Sequence, residues 1–264
     1  MIEKANLEKY TIALYREKYC SPQPIGTGIL ICYNGSFYLI SAFHVFDMEE
    51  ERQQVENDPD EQDIQQDDME GIYAKGIFEE NSDYFLVNKN SYGLVFTFNP
   101  DEASRNINFN EDTEFIVCML SDNLAQCFID AGKMFYNVNE SLLKEQNFSG
   151  SVILSGYPEY AQRDGTEVYR SYKGTLINNA HDNGMISIKF DNNTAYCYEM
   201  HTEISIPRVK GIEGMSGGGI WKEQNDTFLP IGIIIKQDPN EGIVVGYDFD
   251  TIIATIKEWD IPNK

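Results

Sequence analysis

Hydrophobic residues occur in short runs along most of the chain, with Asn, Gly, Asp and Pro between them. The first clear pair of runs covers residues 26–33 and 36–45, joined by Asn34-Gly35, the dipeptide most typical of a two-residue hairpin turn. Similar runs follow at residues 83–87, 92–98, 113–120, 150–158, 184–190, 195–200 and 228–235. Many short strands with few helices between them predict an all-β fold, either a sandwich or a barrel.

Helical spacing of the apolar positions is confined to a few segments, residues 3–18, 123–132, 139–146 and 249–259. We therefore expect a short N-terminal helix and a short C-terminal helix at the ends of the β structure. The sequence shows neither a repeat of fixed period nor a linker that divides it.

Charge narrows the range of functions, because the 264 residues carry a formal net charge of −23. Nucleic-acid binding depends on Lys and Arg, so we expect no nucleic acid as partner. Residues 47–70 hold twelve acidic residues and one Arg, which predicts a solvated acidic loop. Calcium binding is the alternative for this segment, although it lacks the ordered ligand spacing and the glycine of a known calcium loop.

The sequence offers little sign of export, membrane insertion or metal binding. Residues 1–19 lack an apolar leader, and no stretch is long enough to span a bilayer, so we expect a cytoplasmic protein without membrane contact. Five cysteines without a C-x-x-C pair favour reduced core thiols. Cys197 and His201 could begin a zinc site, but one pair is insufficient, and we expect no metal and no cofactor.

Two separated segments carry candidate chemistry. Residues 213–221, EGMSGGGIW, place Ser216 among four glycines, a composition that indicates tight turns or close approach to a ligand. His44 is one of three histidines and ends the predicted hairpin, where rigid β structure can hold a side chain in a cleft. The alternatives are a simple connecting loop and an ordinary histidine. Together the two residues suggest a nucleophile and its base.

These segments resemble the chymotrypsin-fold (trypsin-like) serine proteases, in particular bacterial-type members. Residues 26–47, GTGILICYNGSFYLISAFHVFD, resemble the hairpin that leads to the catalytic histidine, and GMSGGGI resembles the family's G-x-S-G-G-P loop. SVILSGYP at 151–158 and LPIGIII at 229–235 resemble strands of the second barrel. The resemblance implies two six-stranded antiparallel β-barrels packed together, with the active site between them.

The domain division follows from that resemblance. Residues 1–22 would form a helical arm, and residues 23–135 a first barrel with His44, Glu114 and the acidic loop. Residues 136–264 would form a second barrel with Ser216, followed by the C-terminal helix.

The resemblance also implies roles for individual residues. Ser216 would be the nucleophile and His44 its base, while Glu114 would occupy the place of the acid that orients His44. Asp112 is an alternative acid, because it lies two residues upstream and shares a strand face if the strand begins that early. A third alignment puts Ser91 at the acid position and leaves the triad incomplete.

Substrate contacts can be assigned in the same way. The backbone N–H groups of Gly214 and Ser216 would form the oxyanion hole. Ile235, Lys236 and Gln237 would form the edge that pairs with an extended substrate. Lys210 would lie at the base of the specificity pocket and favour acidic side chains, unless it is exposed in a surface loop, as most lysines are.

We therefore expect a serine endopeptidase that hydrolyses peptide bonds in a protein or peptide substrate, with a protein activator as a possible partner. Phe43, Met215 and Gly219 depart from the family pattern, and Met215 stands where animal digestive members have an Asp that pairs with a newly cleaved N-terminus. Two alternatives follow: a catalytically impaired pseudoprotease that binds a protein partner, and a protease regulated by calcium at the acidic loop.

Overall fold

The fold consists of sixteen short strands and two helices among the residues that the structure, a computed structural model, describes. These residues are 7–18, 21–45, 85–87, 94–96, 107–109, 114–138, 150–161, 168–177, 184–190, 194–198, 202–205, 212–224, 227–238 and 240–259. Within them, no helix is long and apolar enough to cross a membrane.

Six strands form the first sheet. They are β1 (Thr11–Lys18), β2 (Ser21–Tyr33), β3 (Ser36–Ala42), β6 (Ile107–Phe109), β7 (Phe115–Leu120) and β8 (Tyr136–Asn137). Their order is β1-β2-β3-β7-β6, and β8 pairs with β2 in parallel. Between β3 and β6 in sequence, β4 (Phe85–Val87) and β5 (Leu94–Phe96) pair only with each other among the described strands.

Eight strands form the second sheet. They are β9 (Gly150–Gly156), β10 (Arg170–Ile177), β11 (Met185–Lys189), β12 (Thr194–Cys197), β13 (Thr202–Ser205), β14 (Gly219–Gln224), β15 (Thr227–Asp238) and β16 (Ile243–Asp248). The order β11-β16-β15-β14-β9-β10 returns to β11 through a β10–β11 pairing. This closes a six-stranded antiparallel barrel, and β12 and β13 extend it from β10. The expectation of an all-β fold is confirmed.

Local sequence explains two of the predicted elements. Asn34 and Gly35 have φ angles of 48° and 84°, the left-handed pair that a tight hairpin turn between β2 and β3 requires. Helix α1 (Asp122–Asp130) begins after Ser121, whose hydroxyl accepts a hydrogen bond from Leu124 N–H. Helix α2 (Phe249–Trp259) is the predicted C-terminal helix.

The predicted N-terminal helix over residues 3–18 is wrong where the structure describes that segment. Leu7–Tyr10 form a 3-10 turn and Thr11–Lys18 form β1, an edge strand paired along β2. Ile12 and Leu14 are fully buried on this strand. The antiparallel pairing with β2, the next strand in the chain, outweighs the helical spacing of the apolar positions.

Aromatic side chains join the two sheets. Trp221 of β14 is fully buried, and its indole N–H donates a 2.8 Å hydrogen bond to Ser155 Oγ of β9. The ring of Tyr136 lies 5.7 Å from the rings of both Tyr10 and Trp221. The apolar core is therefore continuous from the first sheet to the outer face of the barrel.

The edge strand β1 provides a test of this packing. Ile12→Ala is expected to lower the free energy of unfolding by about 2–5 kcal/mol, because it removes a buried side chain from a close-packed core. Urea denaturation would measure the change, with Ile177→Ala as the control because Ile177 is 39% exposed. Equal small losses from both variants would contradict the placement of β1 in the core.

Candidate functional site

The Ser216 loop, residues 212–218, leads into β14 and lies between the two sheets. Met215 and Ile212 are buried in the apolar interior of the barrel, whereas Ser216 is half-buried. The apolar side chains of Ile212 and Met215 thus fix the loop to the barrel, while Ser216 stays partly exposed.

Glycines at two positions of the loop have backbone conformations that other residues rarely adopt. Gly214 has a φ of +85°, and a Cβ added to it would lie 2.6 Å from Tyr157 O and 2.9 Å from Glu159 N. Gly217 has a φ of +83°, and a Cβ there would overlap Ser41 Oγ. Both the backbone angle and the surrounding backbone therefore require glycine.

Two carbonyl groups of the loop are held by hydrogen bonds that fix the adjoining peptide planes. Glu159 N–H donates to Glu213 O at 2.7 Å, and Gly218 N–H donates to Met215 O at 2.8 Å. The C=O and N–H of a trans peptide point in opposite directions, so the N–H groups of Gly214 and Ser216 point away from these donors. No backbone carbonyl in the described part of the chain accepts a hydrogen bond from either group.

The loop also contacts the first sheet close to the His44 segment. Thr27 N–H of β2 donates a 2.8 Å hydrogen bond to Ser216 O. A Cβ on neighbouring Gly26 would lie 3.1 Å from Ser216 O and 2.6 Å from a methyl carbon of Val45. Exposed His44 precedes buried Val45 in the 3-10 turn Phe43–Val45 that follows β3. The fold thus brings the His44 turn and the Ser216 loop to the same residue of β2.

Glu114 lies directly before β7 and beside the His44 turn. Its carbonyl accepts a 2.8 Å hydrogen bond from Phe43 N–H, and its φ is 37°. Its carboxylate lies 3.6 Å from Lys236 Nζ, with side chains 47% and 56% exposed respectively. The assignment of Glu114 to His44 therefore stays a prediction, and the alternatives Asp112 and Ser91 lie outside the described residues.

The predicted substrate edge is the end of β15. This strand pairs with β14 only as far as Ile233, whereas its pairing with β16 continues to Asp238. The β14 pairing therefore does not extend along residues 235–237. Ile235 is buried, Lys236 is exposed, and Gln237 Oε1 accepts a 2.9 Å hydrogen bond from Ile212 N–H.

Lys210 lies outside the described residues, so its position in the specificity pocket stays a prediction. The same is true of the acidic segment 47–70 and of His201. The described residues contain no cluster of three or more His, Cys, Asp or Glu side chains that could hold a metal ion.

A pair of tyrosines supports the turn that carries Glu159. Tyr160 lies in the 3-10 turn Glu159–Ala161, and its hydroxyl is hydrogen-bonded to the hydroxyl of buried Tyr172 on β10. Burial raises the pKa of both phenols above their ordinary value, so both stay protonated. The turn that holds Glu213 O is thus itself anchored to the barrel by neutral groups.

Sequence reasoning missed two residues that position the loop. Thr27 was recognised only as the middle residue of the GTG motif at residues 26–28. Glu159 acts through its backbone N–H, for which no side-chain signal exists. The sequence signal that could have directed attention to Thr27 is its place between two glycines, and the structure shows that it is buried there.

Comparison with solved structures defines the fold class. The chain is similar to a thermostable serine protease, AL20, from an extremophilic microorganism, with a TM-score of 0.52 and 10% identity over 97% of this chain and 98% of that chain. It is also similar to a structure from work on the intrinsically disordered Sesbania mosaic virus VPg protein, whose coupled folding and binding is described as driven by aromatic interactions. That match has a TM-score of 0.50 and 9% identity over 92% and 87% of the two chains.

No family model and no curated protein matches the sequence. At such low identities the structural similarity establishes the fold alone, which is the chymotrypsin-like β-barrel fold of a serine protease.

The glycine at position 214 can be tested by comparison with a glycine that has the same φ in open space. Gly214→Ala is expected to reduce stability by about 1–2 kcal/mol from the left-handed backbone alone, and further because its Cβ meets backbone atoms that cannot move freely. Urea denaturation would measure the loss.

Gly35 is the matched control, since its φ is +84° and nothing lies within 4 Å of an added Cβ. Gly35→Ala should show the backbone penalty only. A loss for Gly214→Ala no larger than that for Gly35→Ala would mean that Tyr157 and Glu159 do not confine the loop.

Proposed function

We propose that this chain is a serine endopeptidase with Ser216 as nucleophile and a protein or peptide as substrate. The observation that supports it best is that the Gly214 and Ser216 N–H groups point away from the donors to Glu213 O and Met215 O and have no backbone acceptor among the described residues. Two such N–H groups next to a serine are the donors that an oxyanion hole requires. The serine protease fold of the structural neighbour agrees with this proposal.

The proposed reaction follows from these groups. Ser216 Oγ attacks the carbonyl carbon of the scissile peptide bond while His44 removes the hydroxyl proton. The N–H groups of Gly214 and Ser216 donate to the negatively charged oxygen of the tetrahedral intermediate. His44 then gives the proton to the leaving amine, and water hydrolyses the resulting acyl-enzyme by the same route in reverse. An extended substrate would pair with the backbone edge of residues 235–237 that lies beyond the β14 pairing.

A fluorophosphonate probe tests the nucleophile directly. We expect a covalent adduct in which Ser216 Oγ bonds to phosphorus, fluoride leaves and the hydroxyl proton passes to His44. Peptide mass spectrometry would locate the adduct, and Ser216→Ala should abolish it. The other described serines serve as internal controls. A folded parent protein that forms no Ser216 adduct over a range of pH values would overturn the proposal of an active enzyme.

A second candidate function is a protein-binding module with an impaired site. It is favoured by the contact between the Glu114 carboxylate and Lys236 Nζ, because pairing with this lysine competes with orienting His44. An exposed ion pair of this kind contributes only about 0–1 kcal/mol, so it does not hold the carboxylate firmly. Absence of the Ser216 adduct would favour the binding module.

The acid of the triad can be assigned by paired variants. Glu114→Gln is expected to reduce turnover of a peptide or ester substrate by up to about 10⁴-fold, because an amide leaves the imidazole of His44 in the wrong tautomer. Asp112→Asn should cost little, since residue 112 comes before β7 in the sequence. The reverse ranking would transfer the role to Asp112, and small losses from both would leave the triad without either carboxylate.

A further inference from the structure

Thr27 is a fully buried polar residue at the junction of the two sheets. It lies on β2, opposite Ala13 of β1, and its carbonyl accepts a 2.7 Å hydrogen bond from Ser41 Oγ of β3. The residue is therefore fixed by its own sheet on both sides. Its N–H and its side-chain hydroxyl bond to the Ser216 loop and to Tyr157, which follows β9 of the second sheet.

The side-chain hydroxyl of Thr27 is shared between two backbone groups of the second sheet and the Ser216 loop. Thr27 Oγ1 donates to Gly214 O at 2.7 Å and accepts from Tyr157 N–H at 3.1 Å. These directions are unambiguous, because a carbonyl can only accept and an N–H can only donate. Both hydrogen-bonding functions of the hydroxyl are thus committed.

These bonds act on the peptide plane that follows Gly214. Glu159 N–H holds the preceding carbonyl, Glu213 O, whereas Thr27 Oγ1 holds Gly214 O itself. The Gly214 N–H lies in the first of these planes, which Glu159 holds directly. Thr27 and the 3.0 Å hydrogen bond from Met215 N–H to Ile212 O hold the second plane and so limit rotation about Gly214. Thr27 N–H also holds Ser216 O, so one residue of the first sheet bonds to two carbonyls of the loop.

Substitution at Thr27 leaves little freedom for compensation. A Cβ at Gly156 would lie 3.0 Å from Thr27 Oγ1 and 3.1 Å from Met215 Cγ, so the hydroxyl is closely packed. Loss of the hydroxyl therefore leaves Gly214 O and Tyr157 N–H without this partner in a tightly packed environment. The Gly214–Met215 peptide can then turn toward another donor only by straining the 3.0 Å hydrogen bond from Met215 N–H to Ile212 O.

We propose that Thr27 is a positioning residue for the oxyanion hole: its buried hydroxyl, shared between Gly214 O and Tyr157 N–H, couples the first sheet to the orientation of the Gly214 N–H. This inference rests on the proposed protease function of the same site. Thr27 touches no substrate atom and acts through Gly214.

The kinetic test compares Thr27→Val with Thr27→Ser, using a fluorophosphonate as the probe of Ser216. Misplacement of a catalytic group by about 1 Å can cost about 10²-fold in rate. We expect Thr27→Val to reduce the maximal rate of adduct formation by about that factor, with little change in the probe concentration at half-maximal rate. Thr27→Ser keeps the hydroxyl and should restore most of the rate.

Thr11→Val is the matched control. Thr11 is also a fully buried threonine of the first sheet, and its hydroxyl donates to Leu7 O, at the start of β1. Its loss should leave the rate of adduct formation near that of the parent. Equal slowing by Thr11→Val and Thr27→Val, or no rescue by Thr27→Ser, would overturn the proposal.

Hydrogen exchange keeps the inference separate from the activity. The Tyr157 amide should exchange slowly in the parent and at least tenfold faster in Thr27→Val, because its acceptor is removed. Exchange in Thr11→Val should match the parent at this amide. If the parent forms no adduct, the proposed function fails while this measurement still decides the role of Thr27. If Thr27→Val does not fold, an unprotected Tyr157 amide in the parent or in Thr27→Ser overturns the inference.

Discussion

The geometry of the candidate site depends on the hydrogen bonds that Thr27 makes across the two sheets. Its hydroxyl and its N–H together hold Gly214 O, Ser216 O and Tyr157 N–H. Two hydrogen bonds within the loop, from Met215 N–H to Ile212 O and from Gly218 N–H to Met215 O, restrain some of its peptide planes. The carbonyls of Glu213, Gly214 and Ser216 are held by groups outside the loop. A buried polar group without a partner costs about 1–3 kcal/mol, which favours having all of these bonds formed together. The direction of the Gly214 N–H is therefore a property of both sheets, and it is lost if either one shifts.

Glu114, the predicted acid of the triad, is held less firmly than the Ser216 loop. Glu114 has a left-handed φ of 37°, which costs roughly 1–2 kcal/mol for a residue with a side chain. The hydrogen bond from Phe43 N–H to its carbonyl fixes the backbone, but the carboxylate is half exposed and lies 3.6 Å from the Nζ of half-exposed Lys236. The strained backbone is thus fixed one residue from His44, while the side chain is free to exchange partners through solvent. A carboxylate of this kind can serve either His44 or Lys236, and the two candidate functions differ on that choice.

The parts of the structure that local sequence determines were predictable. The Asn34-Gly35 turn and helix α2 needed only short-range signals, and barrel strands β9, β11 and β15 lie in predicted apolar runs. Barrel strands β10, β14 and β16 were not among the predicted runs. Strand β1 was not predictable in this way, because its apolar spacing fits a helix and only its pairing with β2 decides the outcome. Gly214 was identified by composition, but the support from Thr27 and Glu159 was not. One acts from β2, far away in sequence, and the other acts through a backbone N–H that every residue except proline carries.

The anchor of the Ser216 loop is apolar, and this sets the conditions under which the loop keeps its shape. Met215 is fully buried in the barrel interior, with Cγ facing Gly156. In the protease family that the sequence resembles, animal digestive members have an aspartate at this position. A thioether carries no charge, so its burial needs no counter-ion and does not change with pH or salt. The groups that hold the neighbouring carbonyls are likewise neutral: a threonine hydroxyl and the backbone N–H groups of Glu159 and Gly218. The shape of the Ser216 loop is consequently set by packing and by neutral hydrogen bonds among the described residues.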